Sequence, residues 1–237
     1  TRFILAFLIF ELISIGYHTP AISQERSVEK QDYATIIMYH RFGENRYPTT
    51  NVTIEQFESH LEFIAEGDYT VAPLLDIIET LQSGGTLADK TLAITIDDAY
   101  LSVYLEAWPR LKEYGFPFTV FIATDPVDNG IKSYMNWDQI RELQENGVTI
   151  GSQTKSHPHM HRLSSIEVEQ EIELSNNRFL EEIGQYPQLF AYPFGVYNKI
   201  TLKILKKLNY NFAFTVKKSK SSIIKPLEIS RKDVNYL

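Results

Sequence analysis

Six short runs constrain this chain more than any other feature: "YATIIMYH" from Tyr33, "TLAITIDD" from Thr91, "FTVFIAT" from Phe118, "GVTIGSQ" from Gly147, "QLFAYP" from Gln188 and "NFAFTV" from Asn211. Each is rich in β-branched and aromatic residues and is mostly continuous rather than alternating, the pattern of a strand buried on both faces. Between them lie helix signals. Thr53 with Gln56, Asn136 with Gln139 and Ser164 with Glu167 have capping-box spacing, and Gly67, Gly147 and Gly184 sit where those helices should stop. Phe57, Leu61 and Ile64 make the apolar stripe of the first helix; Val168, Ile172, Phe179 and Ile183 make that of the third. Strand-then-helix repetition implies a parallel sheet covered by helices. No glycine-rich phosphate loop follows the first strand, which favours a barrel over an open dinucleotide-binding sheet. The 237 residues, 43% of them apolar, suit one domain, and the most linker-like piece, "SGGTLADK" at 83–90, is too short to divide it.

Charge and composition exclude several functions. The net charge is -7, and the basic residues from Lys203 to Lys220 are scattered along a helix and a loop, so no nucleic-acid footprint is expected. The absence of cysteine removes disulfides, thiolate metal sites and cysteine nucleophiles. At the N-terminus, "TRFILAFLIFELISIGYHTPAISQ" has a basic residue, an apolar run to Gly16, and small residues Ala21 and Ser23 two apart. That is the pattern of a secretory signal spanning residues 1–23, with the domain in 24–237 and a secreted or periplasmic location. Glu11 interrupts a run already short of the roughly 20 residues a bilayer demands, so no membrane span is expected after cleavage.

In a barrel of this kind, chemistry gathers at the C-terminal ends of the strands. The polar residues there are His40, the pair Asp97 and Asp98, Gln153 followed by His157, and the segment Pro193, Phe194, Gly195. Strand-end aspartates often cap helices, but that does not explain two adjacent carboxylates after "LAIT". Like charges in a buried mouth are costly unless a cation or a proton lies between them, and a metal would resolve the conflict. A glycosidase pair is a poor match, because such carboxylates face each other from separate elements at about 5–9 Å. Around Pro158 stand His157, His159 and His161; helical spacing would bring His157 and His161 to one face.

Several of these segments carry a family likeness. "LAITIDDAY" resembles the Thr-Phe-Asp-Asp-Gly motif of the polysaccharide deacetylases, the carbohydrate esterases with a NodB-homology domain; "IGSQTKSHPHM" resembles their His-Ser/Thr-x-x-His-Pro motif and "FAYPFG" their Arg-x-Pro-Tyr-Gly motif. "IIMYHRFG" and "MNWDQIREL" are similar to the secreted branch acting on poly-N-acetylglucosamine. The likeness covers roughly residues 33 to 237, with its motifs concentrated in 90–237.

The resemblance implies a distorted (β/α)7 barrel and a divalent metal, usually zinc, held at the positions of Asp98, Gln153 and His157. It makes Asp97 the general base, the backbone N–H of Phe194 an oxyanion donor, and an acetylated polysaccharide the substrate. The family's C-terminal Leu-x-His acid is missing from "ISRKDVNYL", so His40 is the expected acid; Trp137 is the expected wall of a sugar groove. Three positions depart from the pattern. Gln153 offers zinc a neutral amide oxygen in place of an imidazole nitrogen, Ala191 replaces an arginine that orients the catalytic aspartate, and Ala99 replaces a glycine, which matters if that turn requires positive φ. The expected function is metal-dependent removal of acetyl groups from N-acetylated sugars. The alternative is a catalytically silent barrel that binds glycan or protein through a degenerate site.

Overall fold

The computed structural model of the protein describes residues 33–217 and 225–234. The signal-like segment 1–23 lies outside them. All six apolar runs form strands: Thr35–Tyr39, Thr91–Asp97, Phe118–Ile122, Thr149–Ser152, Leu189–Ala191 and Phe212–Thr215. Each pairs in parallel with the next in chain order. Register aligns their ends: Tyr39 is opposite Ile96, Asp97 opposite Phe121, and Ile122 opposite Ser152, so the C-terminal ends share one rim.

Closure depends on a single short segment. Ile229–Ser230 pairs with Phe212–Thr215, whereas Lys232–Asp233 pairs with Thr35–Tyr39. Consecutive residues therefore bond to the last and first strands, and Arg231 sits at the crossover with its N–H on the Thr215 carbonyl at 2.9 Å. The result is the nearly closed parallel barrel expected of the sequence, in one domain, with this segment as its seventh position.

The helices form where local chemistry places them. All three capping boxes are made, ahead of Ile54–Glu66, Trp137–Glu145 and Ser165–Ile183. Gly184 ends the last of these in the left-handed region, at φ 75. Phe57, Leu61 and Ile64 are buried, as are Val168, Ile172 and Phe179, while Ile183 packs part-buried against the core. Apolar stripes of this size contribute about 1.5–3 kcal/mol per fully buried side chain. Inside the barrel Phe121 and Phe214 meet with ring centres 5.4 Å apart. Gly151 makes room for Phe121, since a Cβ there would lie 2.6 Å from its ring. Among the described residues no helix is long and apolar enough to cross a membrane.

Candidate active site

The Thr91–Asp97 strand is buried along its whole length and delivers Asp97 to the barrel rim. The chain then turns sharply, with Asp98 at φ 72 and Ala99 at φ 54. The turn does require the left-handed region at Ala99, a conformation that glycine adopts with less strain. It aims successive carboxylates in different directions.

Asp97 is gripped by Arg231, Nη1 on Oδ1 at 2.7 Å and Nη2 on Oδ2 at 2.8 Å. Arg231 also reaches the Thr95 hydroxyl at 3.3 Å, and that hydroxyl donates to the Ile37 carbonyl at 2.8 Å. Burial opposes charge on Asp97. The charge and hydrogen bonds of Arg231, with smaller contributions from His40 and His157, outweigh it and hold the carboxyl below its ordinary range. Asp98 takes a different partner, with its Oδ1 3.3 Å from His157 Nε2. The two adjacent carboxylates thus face different side chains, Asp97 the guanidinium of Arg231 and Asp98 the imidazole of His157.

Gln153 ties the two acids together. It is 2% exposed, its Nε2 donates to Asp97 Oδ2 at 3.2 Å, and its Oε1 accepts the Asp98 N–H at 3.3 Å. Beyond it Thr154 and His157 both adopt positive φ, 71 and 58, and the His157 N–H donates to the Thr154 hydroxyl at 3.1 Å. This compact turn, and not a helix, carries the imidazole back towards Asp98.

These groups floor an open cavity of about 660 Å³, which His40, Asp97, Asp98, Gln153, His157 and Phe194 all line. Among the described residues the Nδ1 of His40 is buried without a hydrogen-bond partner. Phe194 stands at the lip on left-handed backbone, φ 56, and stays 51% exposed. His159 stacks on it at 4.0 Å between ring centres, and His157 meets its edge at 4.6 Å. Elsewhere the lining includes Tyr100 and Tyr134, 4.8 Å apart, with the Arg41 guanidinium 3.3 Å over the Tyr100 ring. Burial and the nearby Asp98 raise the pKa of both tyrosines, so their hydroxyls stay protonated hydrogen-bond donors.

Two sequence candidates fall elsewhere. Trp137 does not line the cavity: it is buried in the core, donates from Nε1 to Asp128 at 2.7 Å and packs edge-on to Phe179. His161 lies in a short 3-10 turn with its ring 5.7 Å from that of His159, outside the cavity lining. Arg231 went unrecognised in the sequence. Its available signal was a cation flanked by strand-like residues in "LEISRKDV", together with the vacancy at Ala191, which is buried on the strand that would otherwise have held an arginine.

The donor set of a metal centre is incomplete here. Asp98 and His157 converge with the N···O spacing that two ligands have on a tetrahedral ion with bonds of about 2.0–2.1 Å. The third position does not fit, because both ends of the Gln153 amide are already bonded within the protein. Among the described residues no cluster of three His, Cys, Asp or Glu side chains is placed to hold an ion.

The family profile described as polysaccharide deacetylase matches residues 84–213, more than half the chain. YxkH of Bacillus subtilis (strain 168) is 27% identical over 194 residues, 82% of this chain and 68% of that one. The poly-beta-1,6-N-acetyl-D-glucosamine N-deacetylase of Staphylococcus aureus (strain MRSA252) is 26% identical over 220 residues, 86% of this chain and 71% of that one. In fold, the chain is similar to the Streptococcus pyogenes deacetylase PplD in complex with acetate, with TM-score 0.78 and 23% identity over 88% of this chain and 93% of that one.

Proposed function

The chain belongs to the polysaccharide deacetylase family, and from that premise we propose that it hydrolyses acetyl groups from the N-acetylated sugars of a polysaccharide. An N-acetylglucosamine polymer is the substrate class favoured by the named activity of the staphylococcal relative. The observation that carries the reading is the placement of Asp97. Its carboxylate lines an open cavity, where it can accept a proton from a water.

Its hydrogen bonds indicate which oxygen does the work. Oδ2 accepts from both Arg231 and Gln153, filling its two lone pairs, whereas among the described residues Oδ1 accepts from Arg231 and keeps one lone pair. Asp97 Oδ1 takes the proton from water as the water oxygen adds to the acetyl carbon. The Phe194 N–H is the assigned donor to the oxyanion that forms. As the C–N bond breaks, a proton from His40 goes to the departing sugar nitrogen, leaving acetic acid and a free amine, and the proton held by Asp97 restores His40. Phe194 and its stacked His159 offer the sugar an apolar edge at the lip. The export-signal pattern of residues 1–23 supports action outside the cytoplasm by a domain spanning 24–237.

The test is acetate release from N-acetylglucosamine oligomers by the purified chain, with Asp97→Asn alongside. Release by the native protein and its loss in Asp97→Asn are expected. A folded native protein that frees no acetate from any N- or O-acetylated glycan would favour a glycan-binding barrel instead.

A further inference from the structure

We propose that Gln153 is a hydrogen-bond bridge and not a metal ligand, so that this chain takes a divalent cation on Asp98 and His157 alone, weakly and reversibly. The inference rests on the site as read above. It concerns what the residues bind, not what they hydrolyse.

The orientation of the amide follows from its neighbours. The group facing Asp97 Oδ2 must be a donor, and the group facing the Asp98 N–H must be an acceptor. Reversing the amide would set an oxygen 3.2 Å from a buried carboxylate oxygen and a donor against a donor. Turning the amide oxygen to a cation would also strip the part-buried Asp98 N–H of its partner and leave that donor's desolvation uncompensated. Gln153 is therefore committed on both sides.

Charge points the same way. Asp97 is neutralised by Arg231 through two hydrogen bonds, so Asp98 is left as the carboxylate available to an incoming ion. One carboxylate and one imidazole satisfy only half of a four-coordinate shell, and water must fill the rest. Adding a third protein ligand should therefore change affinity by more than the 10- to 100-fold that residues beyond the ligand shell command. Because Asp97 is already paired with Arg231, its charge is met without the ion. Occupancy then follows the free metal concentration around the protein, making metal supply a control on the site.

Titration of the purified chain with zinc, and the visible spectrum with cobalt(II), test this directly and do not depend on turnover. The native protein should bind weakly, Gln153→His should bind zinc more than about 100-fold tighter and give the intense spectrum of tetrahedral cobalt, and Gln153→Leu should match the native affinity while melting earlier. His157→Ala should abolish the residual binding. Tight stoichiometric zinc in the native protein, or weaker binding in a folded Gln153→Leu, overturns the proposal. Should Gln153→Leu fail to fold, the native titration against Gln153→His decides alone. A protein that releases no acetate while showing these affinities would refute the deacetylase reading and leave this one standing.

Discussion

Arg231 holds both carboxylate oxygens of Asp97 from 134 residues further along the chain. The same arginine occupies the point at which the closing segment passes from the last strand to the first. Barrel closure and the charge state of the acid are therefore one structural event.

Removing the guanidinium should show it. Both side chains are almost wholly buried, so Arg231→Ala strands a carboxylate and should cost about 3–5 kcal/mol of stability in urea unfolding. Adding Asp97→Asn should recover part of that loss, because the stranded charge is gone. Equal stability of the two variants would mean that the pair is not coupled as described.

Acid should act through the same pair. The folded carboxyl holds its charge below the ordinary value of 3.8, so its contribution is complete above that value and is lost as pH falls through the depressed folded pKa. As pH falls below the ordinary carboxylate value of 3.8, the native protein should lose stability more steeply than Asp97→Asn. Parallel unfolding curves across that range would contradict the assignment.

Trp137 supplies a contrasting case. Its Nε1 donates to Asp128, so Trp137→Phe should cost about 1.5–3 kcal/mol and leave kcat/KM for acetylated oligosaccharides unchanged. A selective rise in KM with stability intact would restore it as a groove wall.

The backbone beneath Phe194 should tolerate little change. Gly195 has φ 64, and an added Cβ would lie 2.3 Å from Val216 Cγ2 and 2.8 Å from the Val216 nitrogen. Gly115 and Gly130 share the left-handed conformation but would meet nothing. Alanine at those two should cost about 1–2 kcal/mol, and at Gly195 about 1–3 kcal/mol more, with slower acetate release as Phe194 shifts. Thermal melts of the three variants give the comparison.

The strands and helix starts were legible because their causes are local. A residue run buried on both faces must be apolar throughout, and a capping box such as Ser164 with Glu167 lies within four residues. The strand-end acids and His157 were legible too, since the turns that aim them lie close by. Arg231 was not, because nothing near it in sequence names a partner 134 positions away. Gln153 was read through the ligand its position implies, whereas its actual partners depend on two acids 55 and 56 residues distant. Trp137 shows the converse limit: an aromatic ring at a helix start has the same pattern whether it faces a groove or, as here, Phe179.

The crossover at Arg231 also sets an order of events during synthesis. A chain that ends at Thr215 has the six apolar-run strands but lacks the segment that joins the last to the first. At that stage Asp97 would be buried without its counter-charge, a penalty large enough to keep the wall of the barrel open. The acid therefore acquires its counter-charge in the same step that joins the last strand to the first.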